Sequence, residues 1–271
     1  MDLILLLKAV ILGVVEGLTE FLPISSTGHL IVTEKAMGYY DAAELFTVVI
    51  QLGAIAAVIW HFRKDLIAKF AGLIKRDKKT IKFWQRWIIA TIPAGIIGFL
   101  ASDSLSRFAT PTTVAISLII GGIVIWLIES FHQPKPSKEQ PQFDQLTLKQ
   151  AVQVGCYQIL ALIPGVSRSG ATIMGGLVAG LDRVTATAFS FYLSIPILVL
   201  AGGYKLATDH DKIALVSGGS TALLVGTATA FISALAVVNW LLHYVAKNDF
   251  KAFAAYRIAF GVAILFTVAR W

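Results

Sequence analysis

Long apolar stretches dominate this sequence and limit the folds that it can adopt. Six of them cover approximately residues 42–62, 85–102, 111–131, 184–207, 213–245 and 252–270. A helix needs about 20 apolar residues to cross the roughly 30 Å of hydrocarbon in a bilayer. Only 14% of the residues are charged, against about a quarter in soluble domains. We therefore expect an all-α polytopic membrane protein with about six transmembrane helices, the fifth long enough to tilt.

Two further apolar stretches, at 3–37 and 146–181, are interrupted by polar and helix-breaking residues. The first break reads Pro-Ile-Ser-Ser-Thr-Gly-His at 23–29, and the second reads Pro-Gly-Val-Ser-Arg-Ser-Gly at 164–170. Non-helical backbone at membrane depth needs protein or a water-filled cavity around it. Both stretches are therefore predicted to form re-entrant helix-loop-helix hairpins.

The two broken stretches match each other at an offset of 142 residues, which pairs Ser25 with Ser167 and places Glu16 opposite Gln158. This match indicates an internal duplication within a single membrane domain. Repeat one covers about 1–131 and repeat two about 146–271, joined by a cytoplasmic linker at about 132–145. If each hairpin enters and leaves on one side, three spans separate the copies. The result is an inverted-topology repeat.

The basic residues predict which side is cytoplasmic. Apart from Arg168, sixteen Lys and Arg residues, Arg257 among them, fall on one side and six on the other. The positive-inside rule makes the first side cytoplasmic, so both termini lie outside and the hairpin tips meet near the midplane. Because the basic residues occupy connections between apolar runs, the net charge of +7 does not indicate a nucleic-acid partner.

Three charged residues fall at the breaks, where a charge costs at least about 2.5 kcal/mol and calls for a reason. Glu16 and Glu20 are one helical turn apart on the same face. Such a pair can share a proton, hold a divalent cation or accept hydrogen bonds from a guanidinium. Alternatively, both acids are solvated at a helix end. Arg168 begins a predicted helix, where free amides attract anions, or it is a structural partner of one acid.

The loop after Glu20 offers hydroxyl groups and an imidazole, which are candidate nucleophiles and acid–base groups. Its members are Ser25, Ser26, Thr27 and His29. The same residue types also form ordinary helix caps. The loop therefore gains significance only beside the neighbouring acids.

Three motifs together resemble the bacterial undecaprenyl-diphosphate phosphatases of the bacitracin-resistance type. They are Glu16-x-x-x-Glu20, Ser-Ser-Thr-Gly-His at 25–29, and Pro-Gly-x-Ser-Arg-Ser-Gly-Ala-Thr at 164–172. The likeness extends over essentially the whole chain, including residues 46–53 and Tyr256-Arg257. It implies hydrolysis of undecaprenyl diphosphate to the monophosphate in the bacterial cytoplasmic (inner) membrane, at a site reached from the outer, periplasmic side. This reaction recycles the lipid carrier for cell-wall synthesis.

The resemblance also implies roles for individual residues. The expected catalytic residues are Ser26, His29, Glu20 and Arg168, with Ser26 as nucleophile and His29 as acid or base, or as the rival nucleophile. The expected phosphate-binding residues are Arg168, Ser167, Ser169, Gly170, Thr172, Ser25 and Thr27. Because a diphosphate brings several negative charges, a divalent cation, Mg²⁺ or Ca²⁺, is expected with the substrate, with Glu16 and Glu20 as its protein ligands.

A secondary transporter is the strongest alternative from another class, because inverted repeats with broken helices also occur in transporters. It accounts for the fold equally well. It accounts less well for the convergence of serine, histidine, arginine and glutamate, because a transporter has no need of a nucleophile. The expected partners are the polyprenyl lipid and the bilayer, and the sequence leaves open whether the chain forms a homodimer.

Overall fold

The computed structural model describes residues 2–41, 44–106, 108, 110–132 and 140–268. Most of these residues are helical, and no strand occurs among them, which confirms the all-α prediction. The helices are α1 Leu3–Thr19, α2 Ser26–Met37, α3 Leu45–His61, α4 Arg63–Ile74, α5 Lys78–Ser106, α6 Pro111–Phe131, α7 Leu148–Ile159, α8 Arg168–Val178, α9 Arg183–Thr208, α10 Gly219–Lys247 and α11 Lys251–Val268.

The six predicted spans correspond to α3, α5, α6, α9, α10 and α11. Within the described part of the chain, α5, α6, α9 and α10 are long and apolar enough to cross a membrane. Helices α3 and α4 meet that criterion only together, with a 71° bend between them. The ends of the first and last predicted spans, at 42–43 and 269–270, lie outside the described residues. The chain is thus a multi-pass membrane protein.

The fifth predicted span, 213–245, begins later than expected. A 3₁₀ turn at His210–Leu215 precedes it, and α10 then runs for 29 residues from Gly219. At 1.5 Å per residue this helix is about 43 Å long, which exceeds the hydrocarbon thickness and agrees with the expected tilt or extension. Half of the predicted linker at 132–145, residues 133–139, lies outside the described residues.

Both predicted breaks interrupt helices. The α1–α2 hairpin turns between Thr19 and Ser26, and α7 is followed by a 3₁₀ turn at Leu160–Leu162 and a loop before Arg168 begins α8. Ser25 and Ser167 each precede the second helix of their hairpin, with φ of 70° and 73°. Such values are rare for residues other than glycine. Their recurrence at an offset of 142 residues is what an internal duplication would produce.

Close helix packing fixes the hairpins inside the bundle. Helix α1 packs along α10, α7 along α5, α6 along α11, and α3 against both α9 and α10. Gly13 and Gly17 form the contact face of α1, where an added Cβ would overlap the backbone of α10 at Gly226 or Ala230. Small residues permit this approach between membrane helices. The same packing brings the acidic end of α1 into the protein interior.

Arg257 does not lie on the cytoplasmic side to which the charge count assigned it. Its side chain, in α11, is only 1% exposed and bonds to backbone carbonyls in the loops of both hairpins. It therefore joins Arg168 as a second embedded arginine. Without Arg257, the predicted cytoplasmic side still carries fifteen Lys and Arg residues against six on the other side.

Candidate active site

A cavity of about 170 Å³ lies where the breaks of the two hairpins meet. Six predicted site residues line it: Glu20, Ser25, Ser26 and Thr27 from the first hairpin, and Ser167 and Arg168 from the second. The remaining lining residues are Gln51, Ala94, Gln158, Ala161, Leu162, Ile163, Pro164, Gly165, Ile197 and Leu198. A polar, partly charged surface thus adjoins an apolar wall.

Glu20 connects the two hairpins. The Ser26 hydroxyl donates a hydrogen bond to Glu20 Oε2 at 2.5 Å, and Arg168 Nη2 donates to Oε1 at 3.1 Å. Hydrogen bonds to an ionised carboxylate are shorter and stronger than neutral ones. A carboxylate that accepts from a serine hydroxyl is also positioned to take its proton. The arrangement therefore brings a hydroxyl, a carboxylate and a guanidinium into direct contact.

Arg168 is held on two sides. Besides Glu20, its Nη1 donates to the backbone carbonyl of Ser190 on α9 at 3.1 Å. The ion pair is largely withdrawn from solvent, with side chains 10% and 7% exposed. Breaking a buried pair by removing one partner typically costs about 3–5 kcal/mol, because the other charge remains uncompensated. The two residues therefore orient each other.

The two helix starts at the cavity differ in their caps. Ser167 Oγ accepts a hydrogen bond from the Gly170 amide at 3.1 Å, whereas Ser25 makes no side-chain cap to α2. One of the amides predicted to bind phosphate in the second hairpin is therefore already occupied. The first turn of α2, which begins with Ser26, keeps its amides free of a side-chain cap and carries the positive end of the helix dipole.

Ser169 and Thr172 are fully buried and lie outside the cavity lining. The Ser169 hydroxyl donates to the carbonyl of Leu22 in the first hairpin at 2.7 Å. The Thr172 hydroxyl donates to the Ser190 hydroxyl on α9 at 2.7 Å. Both side chains thus fasten the helix that carries Arg168. Direct phosphate contacts by Ser169, Gly170 and Thr172 stay predictions.

His29 also lies outside the cavity lining. Its Nδ1 is 2.8 Å from the Ser25 carbonyl, which can only accept, so Nδ1 carries a proton. Its Nε2 is 2.7 Å from the Tyr256 hydroxyl, and the ring stacks on Phe260 with centroids 4.3 Å apart. The imidazole therefore holds the loop immediately before Ser26 and is directed toward α11.

Glu16 is fully buried one turn before Glu20, and neither of its carboxylate oxygens has a hydrogen-bond partner among the described residues. It does not line the cavity. The described residues contain no group of three or more His, Cys, Asp or Glu able to hold a metal. Carboxylate oxygens suit Mg²⁺ and Ca²⁺, which require several more oxygen ligands. Glu20, with Glu16 behind it, therefore fits a cation whose other ligands come from a diphosphate.

Two lining residues, Gln51 and Gln158, were not among the predicted site residues. Gln158 is 2% exposed, and its Oε1 has no partner in the described part of the chain. Both positions carried a signal in the sequence, because Gln51 falls in the stretch 46–53 and Gln158 lies opposite Glu16 in the repeat. The Gln51 amide offers an uncharged donor to phosphate oxygens, whereas the Gln158 Nε2 already donates to the Ala90 carbonyl and its Oε1 can only accept.

A protein-family model and full-length relatives both match this chain. A protein-family model described as "Bacitracin resistance protein BacA" matches residues 9–263. The chain belongs to this family. "Undecaprenyl-diphosphatase 1" of Paraburkholderia xenovorans (strain LB400) is 47% identical over 269 residues, covering 98% of this chain and 96% of the relative. "Undecaprenyl-diphosphatase" of Methylobacillus flagellatus is 44% identical over 269 residues, covering 98% of both chains.

Membership of the BacA family confirms the resemblance that the three sequence motifs indicated. The matched region runs from within α1 into α11 and therefore contains the loops of both hairpins and Arg257. All the residues that line the cavity lie inside it. The cavity is thus formed entirely by the part of the chain that defines the family.

Proposed function

We propose that this protein hydrolyses undecaprenyl diphosphate to undecaprenyl phosphate and inorganic phosphate. The chain of hydrogen bonds from Ser26 through Glu20 to Arg168, in a cavity between the hairpins, carries the proposal. The printed names of the relatives state an activity on the same lipid. The family name extends the proposal to bacitracin resistance. The product is the lipid carrier in the form that cell-wall synthesis reuses.

Ser26 is the nucleophile in this proposal. Its Oγ attacks the terminal phosphorus while Glu20 accepts the hydroxyl proton, and the bond from phosphorus to the bridging oxygen breaks. Arg168 and the amides of the first turn of α2 stabilise the charge on the equatorial oxygens. The proton on Glu20 passes to the departing undecaprenyl phosphate.

Hydrolysis of the phosphoserine completes the reaction. Glu20 removes a proton from the attacking water, the bond between phosphorus and Ser26 Oγ breaks, and the same proton returns to the serine oxygen. Inorganic phosphate then leaves. His29 acts through the loop: by donating to the Ser25 carbonyl, it fixes the backbone that presents Ser26.

A divalent cation bound with the diphosphate would be held by Glu20, with Glu16, which lies behind Glu20 outside the cavity lining, contributing through water. It would offset the negative charge of the two phosphoryl groups, which one arginine beside two carboxylates does not balance. The residues themselves bind and orient the terminal phosphate, and Glu20 holds the transferred proton.

The apolar wall of the cavity suits the first part of a prenyl chain. It is formed by Ala94 of α5, residues 161–163 and residues 197–198 of α9. Ile163 and, on α5, Ile97 are exposed on the protein surface, where lipid would cover them. The prenyl tail therefore leaves the cavity between α5 and α9 and enters the bilayer.

The membrane in question is the bacterial inner membrane, and the first hairpin enters from the periplasmic side. The excess of basic residues on the opposite side supports this orientation, even with Arg257 removed from the count. The positive φ values of Ser25 and Ser167 support the internal duplication on which the inverted repeat depends. The chain by itself contains every residue of the proposed reaction, so a homodimer is not required.

Phosphate release from C15 and C55 prenyl diphosphates by detergent-purified protein tests the proposal. Wild type should release one phosphate per lipid, and EDTA should suppress the release. Ser26→Ala should lower the rate at least about a hundredfold. Thr27→Ala, which removes the neighbouring cavity hydroxyl, should stay within about tenfold. If well-folded wild type released no phosphate under any metal condition, the phosphatase proposal would be rejected. A secondary transporter would then be the leading hypothesis.

A further inference from the structure

Arg257 is a buried cation in the middle of the bundle that the proposed reaction does not use. Its side chain is 1% exposed, and no carboxylate lies within ion-pair distance of it among the described residues. Burying a charge without a counter-ion is costly unless hydrogen bonds compensate for the lost hydration. An arginine in this position therefore needs acceptors around it.

Those acceptors come from the loops of both hairpins. Nη1 donates to the Pro23 carbonyl at 3.0 Å, while Nη2 lies 3.1 Å from the Gly165 carbonyl and 3.0 Å from that of Val166. Pro23 precedes Ser26 in the first break, and Val166 precedes Arg168 in the second. One guanidinium thus bonds to both segments that present the reacting groups.

Helix α6 provides two further carbonyl acceptors for the Arg257 guanidinium. Nε donates to the Leu118 carbonyl at 3.3 Å, and Nη2 lies 3.2 Å from the Ser117 carbonyl. A guanidinium is planar and presents five donors in a rigid fork, whereas the lysine ammonium is a compact point charge. Arginine can therefore bond to α6 and to both loops from three separate nitrogen atoms, whereas lysine would have to reach all of these carbonyls from one.

We propose that Arg257 is a positioning residue that sets the distance between the Ser26 loop and the Arg168 loop. The inference rests on the proposed phosphatase reaction, because its consequence is the alignment of nucleophile and guanidinium at one phosphorus atom. Loss of this alignment slows the chemical step more than it weakens substrate binding. A misplacement of about 1 Å can cost about a hundredfold in rate.

Gly121 provides a way to displace Arg257 without removing it. This glycine of α6 lies against the guanidinium, and an added Cβ would overlap Nη2 and lie 2.8 Å from the guanidinium carbon. Gly121→Ala therefore pushes the fork away from its acceptors and leaves the charge in place. Like Arg257→Lys, this substitution should lower kcat and speed hydrogen exchange in the two loops.

The test measures kcat and KM for prenyl diphosphate hydrolysis together with hydrogen–deuterium exchange of the two loops. Arg257→Lys should lower kcat about a hundredfold, and Gly121→Ala about tenfold, with KM within about threefold of wild type. Both variants should exchange faster at residues 20–28 and 160–170. Arg183→Lys is the matched control, because Arg183 pairs with Glu129 away from the cavity, and it should change neither kcat nor loop exchange.

The outcomes separate this inference from the phosphatase proposal. If wild-type protein released no phosphate, the phosphatase proposal would be contradicted. The exchange data would still report whether Arg257 holds both loops. Unchanged exchange in both variants would overturn the positioning role. So would an Arg257→Lys protein with wild-type kcat, because the single nitrogen of an ammonium does not span the carbonyls that the guanidinium fork reaches.

Discussion

The two hairpins share a backbone path and carry different chemistry. Ser25 and Ser167 take up nearly the same positive φ, and each is followed by the first residue of a helix. In the first hairpin that residue is Ser26, and in the second it is Arg168. Both bond to the same carboxylate, that of Glu20. Equivalent positions thus deliver the proposed nucleophile and its charge-stabilising partner.

The other equivalent positions show which chemical groups each hairpin carries. At the offset of 142 residues, Glu16 corresponds to Gln158, Glu20 to Leu162 and His29 to Ala171. The first hairpin therefore holds the acids and the imidazole. The second hairpin has a capped helix start and the buried hydroxyls that fasten it. In the proposed mechanism, the first hairpin therefore transfers the proton and the second holds the Arg168 guanidinium in place.

The largest expected effect comes from Glu20→Gln, which keeps the shape of the side chain and removes its charge. Because Glu20 accepts from both hairpins, phosphate release should fall about a hundredfold to ten-thousandfold, the range of a lost general base. Glu16→Gln is the matched control one turn away. It should lower the rate of phosphate release less, since Glu16 does not line the cavity. Equal losses from the two variants would show that the acids act as one unit.

His29→Ala should have an intermediate effect. The imidazole bonds to the Ser25 carbonyl and the Tyr256 hydroxyl outside the cavity, so its removal loosens the loop without removing the nucleophile. We expect a fall of about tenfold, read from initial rates alongside Ser26→Ala. If His29→Ala were as inactive as Ser26→Ala, the alternative in which His29 is the nucleophile would be favoured. The proposed difference in chemistry between the two hairpins would then be weaker.

The smallest expected effect concerns the caps. Ser167→Ala removes the hydrogen bond to the Gly170 amide and should lower the free energy of unfolding by about 1 kcal/mol. Ser25→Ala removes no cap and should change it by less than about 0.5 kcal/mol. Thermal unfolding in one detergent compares the pair. Equal destabilisation would mean that the two helix starts are stabilised in the same way.

Local sequence signals predicted most of the helices and the two breaks. Hydropathy identifies spans because only long apolar helices satisfy their backbone in lipid, and Pro23 and the Pro-Gly pair at 164–165 mark where helices stop. The pairing of Arg168 with an acid of the first hairpin was one of the two alternatives that the sequence offered, because charged residues in apolar stretches have few ways to be compensated.

Long-range contacts explain what the sequence did not reveal. Arg257 was counted with the nearest connection, because its acceptors come from three segments that are distant in the chain. The direction of the His29 ring depends on Tyr256, and the burial of Thr172 depends on Ser190. None of these contacts leaves a periodic pattern or a spacing that sequence reasoning could detect.

The most direct test of a reaction centre shared by the two hairpins is a double-mutant cycle on phosphate release. The variants are Ser26→Ala, Arg168→Ala and the two combined, assayed with a radiolabelled prenyl diphosphate. Residues that act as one unit are strongly non-additive, so the double variant should be within about threefold of the slower single variant. If the two losses multiplied, Ser26 and Arg168 would act independently, and the shared centre would be contradicted.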